Sequence, residues 1–177
     1  LSDDYNQPFL FIEGDISGIQ NYIYNIKNAE GVELKMAKRL RGRSFEIVLV
    51  TDAIVTYILE ESQLTRVHLI YSGGGNFILM IPANKETKEK ILSLNEKINS
   101  FLFKRYQGGI GLVLVSQVFS KESINDYNYI VKTLKDKVAE TKHKKYNVLF
   151  SKKFFGPYDF SEDTSDICAI CGRDFKK

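Results

Sequence analysis

Short apolar runs alternate along the chain with longer amphipathic stretches. Runs rich in β-forming residues that end at glycine or proline predict strands, and apolar positions three to four residues apart predict helices. The predicted strands are Phe9–Ile12, Arg66–Tyr71, Phe77–Ile81, Gly111–Phe119 and Tyr146–Phe150, and the predicted helices are Gly18–Asn28, Glu33–Arg41, Phe45–Glu61, Lys85–Tyr106 and Asp126–Lys142.

This order of elements predicts an α+β domain with one sheet and helices packed on one face. We expect a helix break near Gly42, and a central position for Gly111–Phe119 because that strand is apolar on both faces. The segment Ser72-Gly73-Gly74-Gly75-Asn76 is typical of a tight hairpin, since its residues tolerate a positive φ.

Composition narrows the class of protein. The 177 residues are 44% apolar and 27% charged, enough for one domain with a hydrophobic core. A net charge of +3 excludes a polycationic nucleic-acid coat protein. No apolar run approaches the roughly 18 residues that cross a bilayer, so we expect a soluble, cytoplasmic protein with no membrane partner. Because the chain begins at Leu1, we expect a piece of a longer protein.

Asp15, at the expected end of the first strand, and the Gly73-Gly74 turn are expected to meet at one edge of the sheet. Such an edge suits a nucleotide: glycines allow close approach to the backbone, N–H groups at a helix start attract an anion, and a carboxylate binds Mg²⁺. Alternatively, Asp15 is a helix-capping carboxylate and the glycines serve only the hairpin.

Three motifs, in this order along the chain, resemble one known family. They are Gly14-Asp15-Ile16-Ser17-Gly18-Ile19-Gln20, Ala37-Lys38-Arg39-Leu40-Arg41-Gly42-Arg43-Ser44-Phe45 and Tyr71-Ser72-Gly73-Gly74-Gly75-Asn76-Phe77. Together they resemble the first palm domain of the large subunit of type III-A CRISPR effector (Csm) complexes. The resemblance implies a ferredoxin-like palm, related to nucleotidyl cyclases and GGDEF domains, over residues 1–153. Residues 154–177 would then be a linker and the start of a truncated zinc-binding module.

The resemblance also implies where ATP binds. Asp15 matches the metal-binding aspartate of such palms and would hold Mg²⁺ or Mn²⁺ together with ATP. Lys142 resembles the lysine that meets the triphosphate, although a lysine favoured by the helix dipole is the alternative. The implied nucleotide-binding residues are Asp15, Ile16, Ser17, Gly18, Ile19, Ser72, Gly73, Gly74, Arg43 and Lys142.

Gly75 and Asn76 stand where GGDEF domains carry two acids. Two-metal nucleotidyl transfer needs clustered carboxylates, and one aspartate is too few. We therefore expect this palm to bind nucleotide without catalysing by itself, and we expect no catalytic residue in it.

What the intact protein does is implied by the resemblance alone. It would join ATP into cyclic oligoadenylates when target RNA is bound, and cut single-stranded DNA through an HD domain, in antiviral defence. Its partners would be ATP, guide RNA, the other Csm subunits and a second palm domain of the same chain.

Basic residues and cysteines supply two further hypotheses. The cluster Lys35, Lys38, Arg39, Arg41 and Arg43 contacts RNA or phosphate, or is a solvated surface. The solvated interpretation is favoured for most of these residues, and Arg43 and Ser44 are the expected contacts. Cys168 and Cys171 form half of a zinc knuckle, an incomplete zinc site, so we expect bound zinc only in the longer protein.

Two other functions stay open. One is a self-sufficient diguanylate cyclase-like enzyme, which the missing acids disfavour. The other is a ferredoxin-like RNA-binding module, in which Phe9, Phe11, Tyr71 and Phe77 would stack on bases from the face of the sheet.

Overall fold

Four strands and four α-helices form the part of the chain that the structure, a computed structural model, describes: residues 8–24 and 36–144. In chain order they are β1 (Phe9–Ser17), α1 (Ile19–Tyr24), α2 (Met36–Glu61), β2 (Leu69–Gly73), β3 (Asn76–Pro82), α3 (Lys85–Tyr106), β4 (Gly111–Phe119) and α4 (Tyr127–Lys142). Short 3-10 turns at Arg66–His68 and Glu122–Asn125 precede β2 and α4. No helix among these residues is long and apolar enough to span a membrane.

The sheet is antiparallel throughout, with strand order β2-β3-β1-β4. This confirms the predicted α+β class and antiparallel sheet. Strand β1 lies between β3 and β4, and helices cover both faces of the sheet, so the side chains of β1 alternate between two cores. Leu10 and Ile12 face the core that α2 and α3 complete, whereas Phe11 faces the core that α4 completes.

The expectation that all helices share one face of the sheet is wrong. Helix α4 packs on the opposite face from α2 and α3, through Ile130, Leu134 and Val138. Those side chains, spaced four residues apart, form one apolar stripe that covers Val113 and Val115 of β4. The stripe is visible in the sequence, but which face of the sheet it covers is not.

Strand β4 lies at the edge of the described sheet, not in the centre as predicted. Its two-sided apolar pattern arises because α3 covers one face and α4 the other. Asn99 of α3 forms hydrogen bonds with the backbone of one residue on the unpaired edge of β4. Its Nδ2 donates to the Leu112 carbonyl at 2.9 Å, and its Oδ1 accepts from the Leu112 N–H at 2.9 Å. A side-chain amide thus takes the place of a neighbouring strand there.

Local signals set several helix boundaries as predicted. Helix α3 covers the predicted residues because Asn84 caps it, accepting from the Thr87 N–H at 2.7 Å, and Gln107 ends it in the left-handed region with φ 50°. Helix α4 begins after Asp126, which accepts from the Tyr129 N–H at 3.0 Å.

The predicted helix break near Gly42 is wrong, because α2 is continuous from Met36 to Glu61. One glycine in a helix costs only about 1 kcal/mol relative to alanine, and 20 or more flanking residues readily bridge that weakness. The predicted strand Tyr146–Phe150, the domain boundary at residue 153 and the two cysteines lie outside the described residues.

The absence of a side chain at Gly14 of β1 allows a close contact in the core. A Cβ atom on Gly14 would lie 2.1 Å from Cζ of the Phe77 ring, which is fully buried across from it on β3. The absent side chain at position 14 is therefore the space that the Phe77 ring fills.

We predict that Gly14→Ala destabilises the fold by about 1–3 kcal/mol, since the added methyl group overpacks the core. Gly42→Ala is the matched control: its Cβ meets nothing within 4 Å, so it should be neutral or stabilise the helix by up to about 1 kcal/mol. Urea denaturation of the 177-residue chain measures both. Equal stability of the two variants would show that Phe77 is not held as described.

Candidate nucleotide site

The end of β1 and the β2–β3 hairpin are joined at one corner of the sheet. The Ile16 N–H donates to the Gly75 carbonyl at 2.8 Å, which makes Asp15 and Asn76 the adjacent cross-strand pair. Because that pair lies between hydrogen-bonded pairs, its side chains are direct neighbours, with Cβ atoms about 4.5–5.5 Å apart. The structure thus brings Asp15 and the glycine hairpin together, as the sequence predicts.

The hairpin turn is Gly74-Gly75, one residue later than the predicted Gly73-Gly74. Both residues have positive φ, 62° and 87°, and Gly73 pairs with Asn76 across the turn. A Cβ on Gly75 would lie 2.3 Å from the Ile19 Cδ1 atom and would displace that side chain, and the positive φ of this residue favours glycine in any case. A Cβ on Gly74 would meet nothing within 4 Å, which leaves this side of the turn open to a ligand.

Lys142 reaches the same corner from α4. Its Nζ lies 3.1 Å from Oδ1 of Asp15, and the two side chains are 45% and 22% exposed. Residues 11, 13 and 15 of β1 all face α4, so the helix that covers Phe11 also carries Lys142 to Asp15. The carboxylate and the ammonium predicted from the sequence as separate contacts therefore form one ion pair.

Glu13 belongs to this corner, and sequence reasoning missed it. It is 1% exposed, and its Oε1 accepts from Nδ2 of Asn76 at 2.8 Å. Its Oε2 is buried and has no hydrogen-bond partner among the described residues. The sequence contains two signs of its role. Glu13 is two residues before Asp15, hence on the same face of the strand, and it is an acid within a run of apolar residues.

Arg43, predicted to contact nucleotide, holds α1 in place. Its Nη1 donates to the carbonyls of Tyr22 at 2.6 Å and Ile23 at 3.5 Å, and its guanidinium lies 5.3 Å from the centre of the Tyr22 ring. A direct contact with nucleotide stays a prediction. Through α1, Arg43 already supports Ile19, which packs against the hairpin glycine.

The predicted anion site at residues 16–19 is smaller than expected. The Ile16 N–H is bonded to Gly75, and α1 begins only at Ile19, with its first helical bond from Tyr22 N–H to the Gly18 carbonyl at 3.0 Å. Ser72, the first residue of the hairpin motif, is exposed on β2 beside this corner. Of the basic cluster, Lys38 and Arg41 are exposed, and Lys35 lies outside the described residues.

The corner fits a cation only if a ligand shares it. No group of three or more acidic, histidine or cysteine side chains capable of holding a metal occurs within residues 8–24 and 36–144. Magnesium, however, is commonly held by one or two carboxylates together with phosphate oxygens of a nucleotide. Asp15 with a triphosphate satisfies that pattern.

The RNA-binding alternative loses its aromatic platform. Phe11 is 3% exposed beneath α4, and Phe77 is fully buried in the core under α2 and α3. Tyr71 is 49% exposed, but Phe9 packs against the α4 core. Of these four rings only Tyr71 is largely exposed, so they do not form a row that could stack on bases.

A cavity of about 590 Å³ lies elsewhere, between α2 and α3. Its walls are apolar, with Leu49 and Phe101 among them, and Glu46, Lys97 and Arg105 at its rim. Glu46 also accepts hydrogen bonds from the hydroxyls of Tyr22 and Tyr106, the latter at 3.0 Å. An apolar groove of this composition does not suit a triphosphate.

The antiparallel sheet, the two helix layers and the carboxylate beside a glycine hairpin define a palm-type α+β domain. The family model described as Csm1 subunit domain B matches residues 8–159, and the chain belongs to that family, the large subunit of type III-A CRISPR complexes.

Relatives and solved structures agree with this assignment. A protein of Enterococcus italicus named CRISPR system single-strand-specific deoxyribonuclease Cas10/Csm1 (subtype III-A) is 26% identical over 182 residues, covering 92% of this chain and 23% of the relative. A Csm1–Csm4 cassette in complex with AMPPNP matches with a TM-score of 0.72 and 26% identity, over 87% of this chain and 21% of that one. A cassette in complex with one ATP matches with a TM-score of 0.72 and 25% identity, over 85% and 20%. The chain thus spans about a fifth to a quarter of these proteins.

We predict that Asp15→Asn changes the free energy of unfolding by less than about 1 kcal/mol, because ion pairs between partly exposed side chains contribute little to stability. Asp126→Ala, which removes the cap of α4, is the comparison and should cost about 1 kcal/mol. Chemical denaturation measures both. A loss at Asp15 well above that at Asp126 would identify Asp15 as a structural carboxylate.

Proposed function

We propose that this chain is an ATP-binding palm that takes up ATP with Mg²⁺ or Mn²⁺ at the corner formed by β1, the hairpin and the end of α4. The observation that carries the proposal is the convergence of Asp15, Lys142 and an open glycine turn at one corner. The complexes of related proteins with AMPPNP and with one ATP support the choice of nucleotide.

The ion pair provides a way to bind a cation and a triphosphate together. In the free chain Asp15 and Lys142 neutralise one another at 3.1 Å. On binding, the carboxylate would turn to the cation and the ammonium to the phosphates, so each charge exchanges one partner for another of the same sign. Lysine suits this exchange because it is a mobile point charge on a flexible stem.

The glycine turn contributes access. Gly73 and Gly74 have no side chains, so a ligand can approach their backbone closely. The atom nearest to a Cβ on Gly73 would be the hydroxyl oxygen of Tyr71, 2.9 Å away. Ser72 lies beside the turn as well, but its side chain is on the opposite face of the sheet from Asp15, because its cross-strand partner is Phe77. The two glycines, with Ser17, Gly18 and Ile19, would border the phosphates.

The same corner has too few accessible carboxylates for catalysis, because Glu13 is buried against Asn76 and only Asp15, among the described residues of the corner, is partly exposed. Phosphoryl or nucleotidyl transfer through two cations needs carboxylates on both, yet Gly75 and Asn76 carry no charge. Lys142 also occupies one oxygen of Asp15. We therefore assign this palm to nucleotide binding and leave catalysis to a second palm.

In the intact protein, we propose, this palm faces a second palm, and the two join ATP into cyclic oligoadenylates when target RNA is bound. Complexes named with Csm4 and with cA3 support a multisubunit assembly and an oligoadenylate product. The name of the relatives supports cleavage of single-stranded DNA, for which we propose an HD domain. Guide RNA, the other Csm subunits, a cytoplasmic location and a zinc site begun by Cys168 and Cys171 belong to the same proposal.

We predict that the 177-residue chain binds ATP in the presence of Mg²⁺ and forms no oligoadenylate. Lys142→Met should raise the Kd of ATP about tenfold, equivalent to about 1.4 kcal/mol, while changing that of AMP little, because the lysine meets the outer phosphates. Isothermal titration calorimetry measures both ligands.

Lys132→Met is the matched control, since it removes an exposed lysine from the same helix ten residues earlier and should leave the Kd of ATP unchanged. Asp15→Asn should reduce the gain in affinity that Mg²⁺ provides. Equal ATP affinity of the native chain and Lys142→Met would contradict the proposed site, and oligoadenylate made by the purified chain would contradict its inactivity.

A further inference from the structure

Glu13 is the least expected group at this corner, because it is a buried carboxylate with one oxygen left unsatisfied. It is 1% exposed, and among the described residues only its Oε1 has a partner, Nδ2 of Asn76. A buried charged group with a missing hydrogen bond destabilises a fold. A glutamine there would keep a similar shape without the charge, so the carboxylate itself needs an explanation.

The hydrogen bond between the two side chains fixes the orientation of Asn76, because Oε1 of Glu13 is the acceptor and Nδ2 of Asn76 the donor. The atom of the Asn76 amide that faces Glu13 must be the nitrogen, so the carbonyl oxygen Oδ1 is directed away from Glu13. A glutamine could face Asn76 with either its oxygen or its nitrogen and would permit both orientations.

The strand register puts the Oδ1 atom of Asn76 on the side of Asp15. Asn76 is the cross-strand partner of Asp15, whereas Glu13 is two residues back along β1. An amide whose nitrogen is held toward residue 13 therefore presents its oxygen on the side of Asp15 and the turn. Carboxylate and amide oxygens are both ligands that Mg²⁺ accepts.

We propose that Glu13 is a positioning residue that orients Asn76, so that the Asn76 carbonyl oxygen and the Asp15 carboxylate together face the cation of the bound nucleotide. This rests on the proposed function, and it adds a neutral second oxygen ligand to the corner. Glu13 acts through Asn76 and does not touch the nucleotide.

Glu13→Gln tests the proposal in the 177-residue chain. We expect its denaturation midpoint to be unchanged or higher, since a buried charge is removed, while the Kd of ATP in Mg²⁺ rises about fivefold because Asn76 is free to turn over. Glu122→Gln is the matched control for binding: it makes the same change near the opposite end of β4 and should leave the Kd of ATP unchanged.

An exchange variant distinguishes positioning from packing. Asn76→Asp alone sets two carboxylates against each other and should lower both stability and ATP affinity. Glu13→Gln with Asn76→Asp restores the bond with its polarity reversed and leaves an oxygen beside Asp15, so affinity should return with a stronger dependence on Mg²⁺ concentration. Full ATP affinity in Glu13→Gln, a clear loss of stability in that variant, or no recovery in the exchange variant would each overturn the proposal.

The contact itself is measurable without nucleotide. In NMR spectra of the ligand-free chain, the side-chain amide protons of Asn76 should shift on Glu13→Gln and not on Glu122→Gln. If the native chain binds no ATP, the proposed function fails and the binding role of Glu13 fails with it. If ATP binds and the Asn76 amide signals do not respond to Glu13→Gln, only the positioning role fails.

Discussion

One backbone hydrogen bond, from the Ile16 N–H to the Gly75 carbonyl, sets the geometry on which the site depends. It closes the hairpin onto the end of β1 and makes Asp15 and Asn76 neighbours. The bond requires a glycine at position 75, because Ile19 fills the space that a Cβ would need and the residue has a φ of 87°. Core packing and site geometry are therefore fixed by the same contact, and neither can change alone.

The site also depends on which face of the sheet α4 covers. Odd-numbered residues of β1 face α4, so a helix on the other face would leave Asp15 without a basic partner. The apolar stripe of α4 ends at Val138, and Lys142 follows one turn later on the same side of the helix. Packing of the stripe against β4 thus places the ammonium beside the carboxylate, and the position of the charge follows from hydrophobic burial.

The limits of sequence reasoning follow from what each pattern encodes. The bounds of α3 and β4 were predicted because an uninterrupted pattern with clear end signals needs no tertiary information. The face that α4 covers, and the edge position of β4, depend on pairing between strands far apart in the sequence. The contacts of Arg43 with α1 could not be predicted, because the sequence shows its charge and not its partners. Asp15 and the hairpin were predicted to meet because each lies at the end of a predicted strand, whereas Glu13 lies inside an apolar run with no such signal.

The hairpin has an asparagine and not an acid at position 76, and this has two consequences that act in the same direction. A carboxylate at position 76 would lie beside Asp15 and within hydrogen-bonding distance of Glu13, and like charges at such distances oppose each other strongly where water is excluded. It would also repel a triphosphate unless a second cation were bound. Asparagine removes both repulsions and keeps an oxygen that a cation accepts, so a corner built this way favours holding a nucleotide with one cation. Under the proposed function, the same asparagine that leaves this corner short of carboxylates for a second cation also suits it to binding a nucleotide, and the proposed second palm would have to supply that cation.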